Sequence, residues 1–152
     1  MSTRTGSERG AVVVGVDGSP SSVQALRWAL GQARLTGAVV RAVTTWDFPA
    51  SYGWAVSVDD VDWEGTARTV LERAVKEAVG ADTTVPVEQV VVRGHPAQVL
   101  VEVAAGADLL VVGSRGHGGF AGLLLGSVSQ HVVAHASGPV VVVHDAPEPT
   151  AG

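Results

Sequence analysis

The stretch Leu109-Leu110-Val111-Val112-Gly113-Ser114-Arg115-Gly116-His117-Gly118-Gly119-Phe120-Ala121-Gly122-Leu123-Leu124-Leu125-Gly126-Ser127 has three parts. The apolar run predicts a buried strand. The glycine-rich middle predicts a loop. The residues from Val128 to Ala136 predict a helix that follows it. A strand, a glycine loop and a helix start together make an anion site. Glycine lets the backbone approach a ligand closely. The free N–H groups and the positive end of the helix dipole favour phosphate. Six glycines from Gly113 to Gly126 cost chain entropy, which argues for a use beyond connection. No Gly-Lys-Ser/Thr follows, so the loop is not a P-loop. Gly116 to Ala121 fits a dinucleotide-type spacing, but it falls at the fourth strand and its pairing acid is missing.

Working outward, apolar runs alternate with helical periodicity. Ala11 to Val16 is apolar and ends in Asp17, as a central parallel strand does. Ser19 and Pro20 suit the start of a helix, and Gly37 suits its end. Ala38 to Trp46 predicts a second strand. Asp47 to Asp59 predicts a long loop holding Tyr52 and Trp54. These two residues and Trp46 either cap the core or form a partner surface. The acids at Asp59, Asp60 and Asp62 favour a helix start. Ala67, Val70, Leu71, Ala74, Val75 and Ala78 mark that helix's apolar face, Glu72 and Lys76 make an i,i+4 pair, and Gly80 closes it. Val85 to Arg93 is a third strand, placed at a sheet edge by Pro86. Pro96 to Ala105 is a short helix stopped by Gly106, and Asp108 to Gly113 is the fourth strand. Ser127 and Gln130 have capping-box spacing, with Ser127 as the cap. Val140 to Val143 is the fifth strand.

This alternation predicts an α/β fold, a doubly wound five-stranded parallel sheet with helices on both faces. All strand C-termini then share one edge. Ligands bind there, where the strand order reverses.

Composition narrows the function classes. The chain has 152 residues, 46% hydrophobic and 16% charged, which fits a single globular domain at 11–145. Residues 1–10 and 146–152 are expected to be a flexible arm and tail. The net charge is −5 and Lys76 is the only lysine, which argues against a nucleic-acid partner. With no cysteine, thiol chemistry and thiolate metal sites are excluded. The N-terminus lacks an apolar signal core, and no run approaches a membrane span, so a cytoplasmic protein with no membrane partner is expected.

Gly113-x₂-Gly116-x₉-Gly126-Ser127 resembles the ATP-binding signature of the universal stress protein family. Gly94-x-Pro96-Ala97 and Ser137-Gly138-Pro139-Val140 are similar to that family as well. The resemblance implies the strand order 3-2-1-4-5, with Asp17 facing Gly113 across the crevice. It implies ATP as ligand, with Mg2+ touching Asp17. Asp17 would contact the nucleoside end and Val43 the adenine. Gly113, Arg115, Gly116, Gly126, Ser127, Val128 and Ser129 would hold the phosphates. Asp17 also has a plainer reading as a turn former. The resemblance further implies a homodimer through the last strand. The residues agree, since an apolar edge strand invites covering by a symmetric partner.

The implied role is regulatory: nucleotide occupancy sets partner or dimer state in a stress response. A slow ATPase or phosphotransferase is the first alternative, but no loop lysine and no second acid beside Asp17 support fast turnover. A nucleotide-free dimeric interaction protein is the second, disfavoured by the glycine signature. Other readings are weaker. His131 and His135, at i,i+4, would bind zinc only with a third ligand, and none is evident. His117 could touch a phosphate. No nucleophile elbow announces a Ser-His-Asp triad.

Overall fold

The computed structural model describes residues 10–48, 61–81, 84–115 and 125–144. The expected arm and tail, the loop with Tyr52 and Trp54, and Gly116 and His117 lie outside the described residues. The elements run β1 (Ala11–Gly15), α1 (Pro20–Thr36), β2 (Val39–Trp46), α2 (Trp63–Val79), β3 (Val87–Arg93), α3 (Pro96–Val103), β4 (Leu109–Gly113), α4 (Ser127–His135) and β5 (Val140–Val143).

All four strand pairings are parallel, and the order is β3-β2-β1-β4-β5. The expected doubly wound sheet is therefore the observed one. Period-two alternation divides the core. Val12, Val14, Val40 and Val111 face the side covered by α1 and α2. Val13, Val43, Leu110 and Val112 face the side covered by α3 and α4. Both sides are buried, which is why β1 and β4 are apolar without interruption.

Local signals set the element ends. Ser19 caps α1, its Oγ accepting the Ser22 N–H, and Pro20 follows at the first turn. Gly37 ends α1 in the left-handed region at φ 76°. Asp62 caps α2, accepting the Gly65 N–H at 2.9 Å, while Asp59 and Asp60 lie outside the described residues. β3 starts at Val87 rather than Val85, because Pro86 has no N–H and joins the sheet only by its carbonyl, which accepts from Val40. α3 ends at Val103, sooner than Ala105. Of the i,i+4 charges on α2, the described pair is Glu64 with Arg68 at 3.5 Å, not Glu72 with Lys76. Both pairs are exposed on α2, where such contacts add only a few tenths of a kcal/mol, so neither has a strong claim to close.

The start of α4 differs from the capping-box expectation. Its N-cap is Gly126, without a side-chain cap, and Ser127 is the first helical residue. Gln130 does not reach back to the cap; its Nε2 donates to the Leu125 carbonyl at 2.9 Å. The Gly126 N–H donates to the Ser114 carbonyl, which pulls the chain into the helix one residue early.

Candidate functional site

The C-terminal ends of β1, β2, β3 and β4 open onto a cavity of about 480 Å³. That lies within the roughly 300–1,000 Å³ typical of small-molecule sites. It sits at the reversal of strand order, between β1 and β4.

Each wall has a local cause. Past β1, the Val16 N–H donates to the Val43 carbonyl at 2.8 Å, and the Thr44 hydroxyl donates to the Val16 carbonyl at 2.8 Å. These bonds hold the segment leading to Asp17 against β2. Asp17 is exposed on the cavity wall. Its Oδ1 accepts the Ser19 N–H at 2.9 Å. The turn-forming reading of Asp17 is thus the observed local geometry, and that turn aims a fixed carboxylate at the cavity. Ser22 braces it: its Oγ donates to the Ser19 carbonyl and accepts the Asp17 N–H at 3.4 Å.

Gly113 carries a packing duty that sequence reading missed. A Cβ there would lie 2.8 Å from the main-chain carbonyl carbon and oxygen of Ser21. The absent side chain lets β4 cross the head of α1. Beyond it, the Arg115 N–H donates to Ser21 Oγ at 3.3 Å. The buried run Ser19, Ser21, Ser22 was the available signal: small hydroxyl residues at a helix head mark a close approach. Gly15 plays a lesser part of the same kind, since its missing Cβ leaves room for Leu100 at the cavity floor.

The opposite wall is the head of α4. Ser129 is buried, and its Oγ donates to the Gly113 carbonyl at 2.5 Å, tying α4 to the end of β4. That hydroxyl proton is committed to the fold. Ser127 is exposed on the wall. The N–H groups of Ser127, Val128 and Ser129 precede the first intrahelical bond, from Gln130 to Gly126, and have no acceptor among the described residues. An uncapped helix start on a cavity is suited to an oxyanion.

The structure brings Asp17, Val43, Gly113, Arg115, Gly126, Ser127, Val128 and Ser129 to one cavity. Gly116 lies outside the described residues. Trp46, Asp47 and His95 also line the cavity and were not singled out as binding residues from sequence. His131 and His135 stack at 4.3 Å between ring centroids on exposed turns of α4, away from the cavity lining. Among the described residues no group of three or more His, Asp or Glu could hold a metal. No described helix is long and apolar enough to cross a membrane.

The universal stress protein family model matches residues 8–144, nearly the whole chain. The chain belongs to that family. Universal stress proteins Rv2005c and Rv1996 of Mycobacterium tuberculosis are 39% and 34% identical to it, over 88% and 91% of this chain. The chain spans about half the length of these curated relatives, 47% and 49%. Among solved structures, a universal stress protein in complex with cAMP is 35% identical, with a TM-score of 0.67, covering 91% of this chain and 98% of the other. A universal stress protein from Archaeoglobus fulgidus in complex with dAMP is 25% identical, with a TM-score of 0.58, covering 90% and 98%. UspA from Lactobacillus plantarum, 22% identical with a TM-score of 0.73, shares the fold.

Proposed function

We propose that this universal stress protein binds ATP in the crevice between Asp17 and the head of α4, and that occupancy sets its dimer or partner state. The observation that carries the proposal is the row of amides at Ser127, Val128 and Ser129, without acceptors among the described residues, on a cavity closed opposite by the Asp17 carboxylate. The phosphates take the amides. Val43 meets the base. Asp17 meets the ribose or the counter-ion. Relatives solved with cAMP and dAMP support an adenine nucleotide.

The residues fit such a ligand, and they fit Mg2+ only as a passenger on the phosphates. Asp17 supplies one carboxylate, and Mg2+ usually takes one or two carboxylates with phosphate oxygens and waters. When bound, the ion would neutralise phosphate charge. The assignment is binding rather than rapid turnover, in a cytoplasmic protein. Dimerisation is assigned to β5, an edge strand of four partly buried valines.

The test is direct. Protein purified from cells is denatured, and released small molecules are identified by mass. Titration with ATP, AMP and cAMP then ranks them. Neither retained nucleotide nor measurable titration would defeat the proposal. Phosphate release at rates typical of kinases would replace binding with catalysis.

A further inference from the structure

β2 carries two adjacent threonines, and strand alternation sends their side chains to opposite faces of the sheet. Thr44 pairs with Val91, which packs on the side of α1 and α2. Thr45 pairs with Val92, which packs on the side of α3 and α4. Val43 belongs to that second side. Val43 and Thr45 therefore point the same way, about 7 Å apart along the strand. Both line the cavity.

The two hydroxyls have different fates. Thr44 is buried, and its Oγ1 donates to the Val16 carbonyl at 2.8 Å, which holds the end of β1. Thr45 is half-buried, and its hydroxyl has no hydrogen-bond partner among the described residues. β1 no longer flanks it, because the last β1–β2 pair is Gly15 with Val43, two residues earlier. A valine would serve the strand equally well, since both residues are β-branched. A ligand that displaces water from this wall must offer the hydroxyl a hydrogen bond or strand it.

We propose that the Thr45 hydroxyl reads the base in this site, by hydrogen-bonding the polar edge of an adenine whose face rests on Val43. The inference rests on the nucleotide reading above and adds the side chain that tells a polar-edged base from a merely flat one. A hydroxyl can accept from the exocyclic amine of adenine or donate to a ring nitrogen. The Val43 side chain is apolar, and its carbonyl already accepts the Val16 N–H at 2.8 Å. Val43 thus supplies the surface and Thr45 the direction.

The test uses the full chain and titrates ATP and inorganic triphosphate, which share the phosphates but not the base. Thr45→Val keeps the shape and removes the hydroxyl. It is expected to weaken ATP about fivefold, the loss for one ordinary hydrogen bond, and to leave inorganic triphosphate unchanged. Thr45→Ser keeps the hydroxyl and should keep most of the ATP affinity. A Thr45→Val protein with unchanged ATP affinity overturns the inference while the nucleotide site stands. So does an equal loss for inorganic triphosphate, which would mean general damage. A Thr45→Ser protein as weak as Thr45→Val also overturns it, since packing rather than the hydroxyl would then matter. If Thr45→Val does not fold, Thr45→Ala against Thr45→Ser decides by the same comparison. A wild type that does not bind ATP removes the site reading itself.

Discussion

Gly113→Ala separates packing from binding at the head of the crevice. The new Cβ would meet Ser21 Oγ most closely and would also lie 2.8 Å from the Ser21 carbonyl carbon and oxygen, which cannot rotate away. An ordinary carbon contact begins near 3.5 Å, so the misfit is about 0.7 Å. Ser21 is buried in the first turn of α1, and its main chain cannot swing aside as a side-chain tip would. Either α1 moves off β4 or the end of β4 bends. Overpacking of this kind costs about 1–3 kcal/mol, against a gain of about 0.5–1 kcal/mol from replacing glycine in a strand. The expected net loss is roughly 1–2 kcal/mol. For a chain of this size that lowers Tm by about 2–8 °C. Denaturant and thermal unfolding of ligand-free protein measure it. A second variant sharpens the reasoning. Ser21→Ala removes that hydroxyl contact but leaves the carbonyl in place, so it should rescue Gly113→Ala only in part in a double-mutant cycle. A Gly113→Ala protein as stable as the wild type, or fully rescued by Ser21→Ala, would refute the main-chain collision.

Asp17→Asn keeps an oxygen for the Ser19 N–H but removes the charge; stability should hold while Mg2+-dependent ATP affinity falls in calorimetric titration. Gly116→Ala should reduce nucleotide retention in purified protein by blocking close backbone approach. Asp62→Ala removes the α2 cap and should cost about 1 kcal/mol in urea unfolding, with nucleotide affinity unchanged. Val142→Pro tests the edge strand. The carbonyls of Pro139 and Val143 accept from β4, so the alternation of a parallel ladder turns the Val142 N–H outward. Proline there should give monomers by analytical ultracentrifugation with the fold retained by circular dichroism.

Much of the architecture was legible because the apolar runs are long and their stops are chemical. Ser19-Pro20, Gly37 and Gly80 each end or begin a helix by a mechanism visible in the residue type. The edge position of β3 was readable from Pro86, although the strand itself begins one residue later. The candidate site was legible in its positions more than in its duties. Ser127 and Gln130 fit a capping box, yet the cap is Gly126, because a bond from its amide to Ser114 outweighs a local side-chain cap. Gly113 looked like a phosphate glycine, and its tightest neighbour is Ser21, 92 positions away and beyond any local pattern. Thr45 gave no motif at all, since only the pairing of β2 with β3 sets its side chain on the face of Val43.

The short ladder between β1 and β4 joins only Val12, Val13 and Val14 to Leu109, Leu110 and Val111. It is the sheet's single seam between its two halves, and the crevice lies directly above it. A molecule gripped by Asp17 on one side and α4 on the other would act as a staple across that seam. Amide hydrogen exchange along β4 would then slow on loading even where no atom of the ligand touches it.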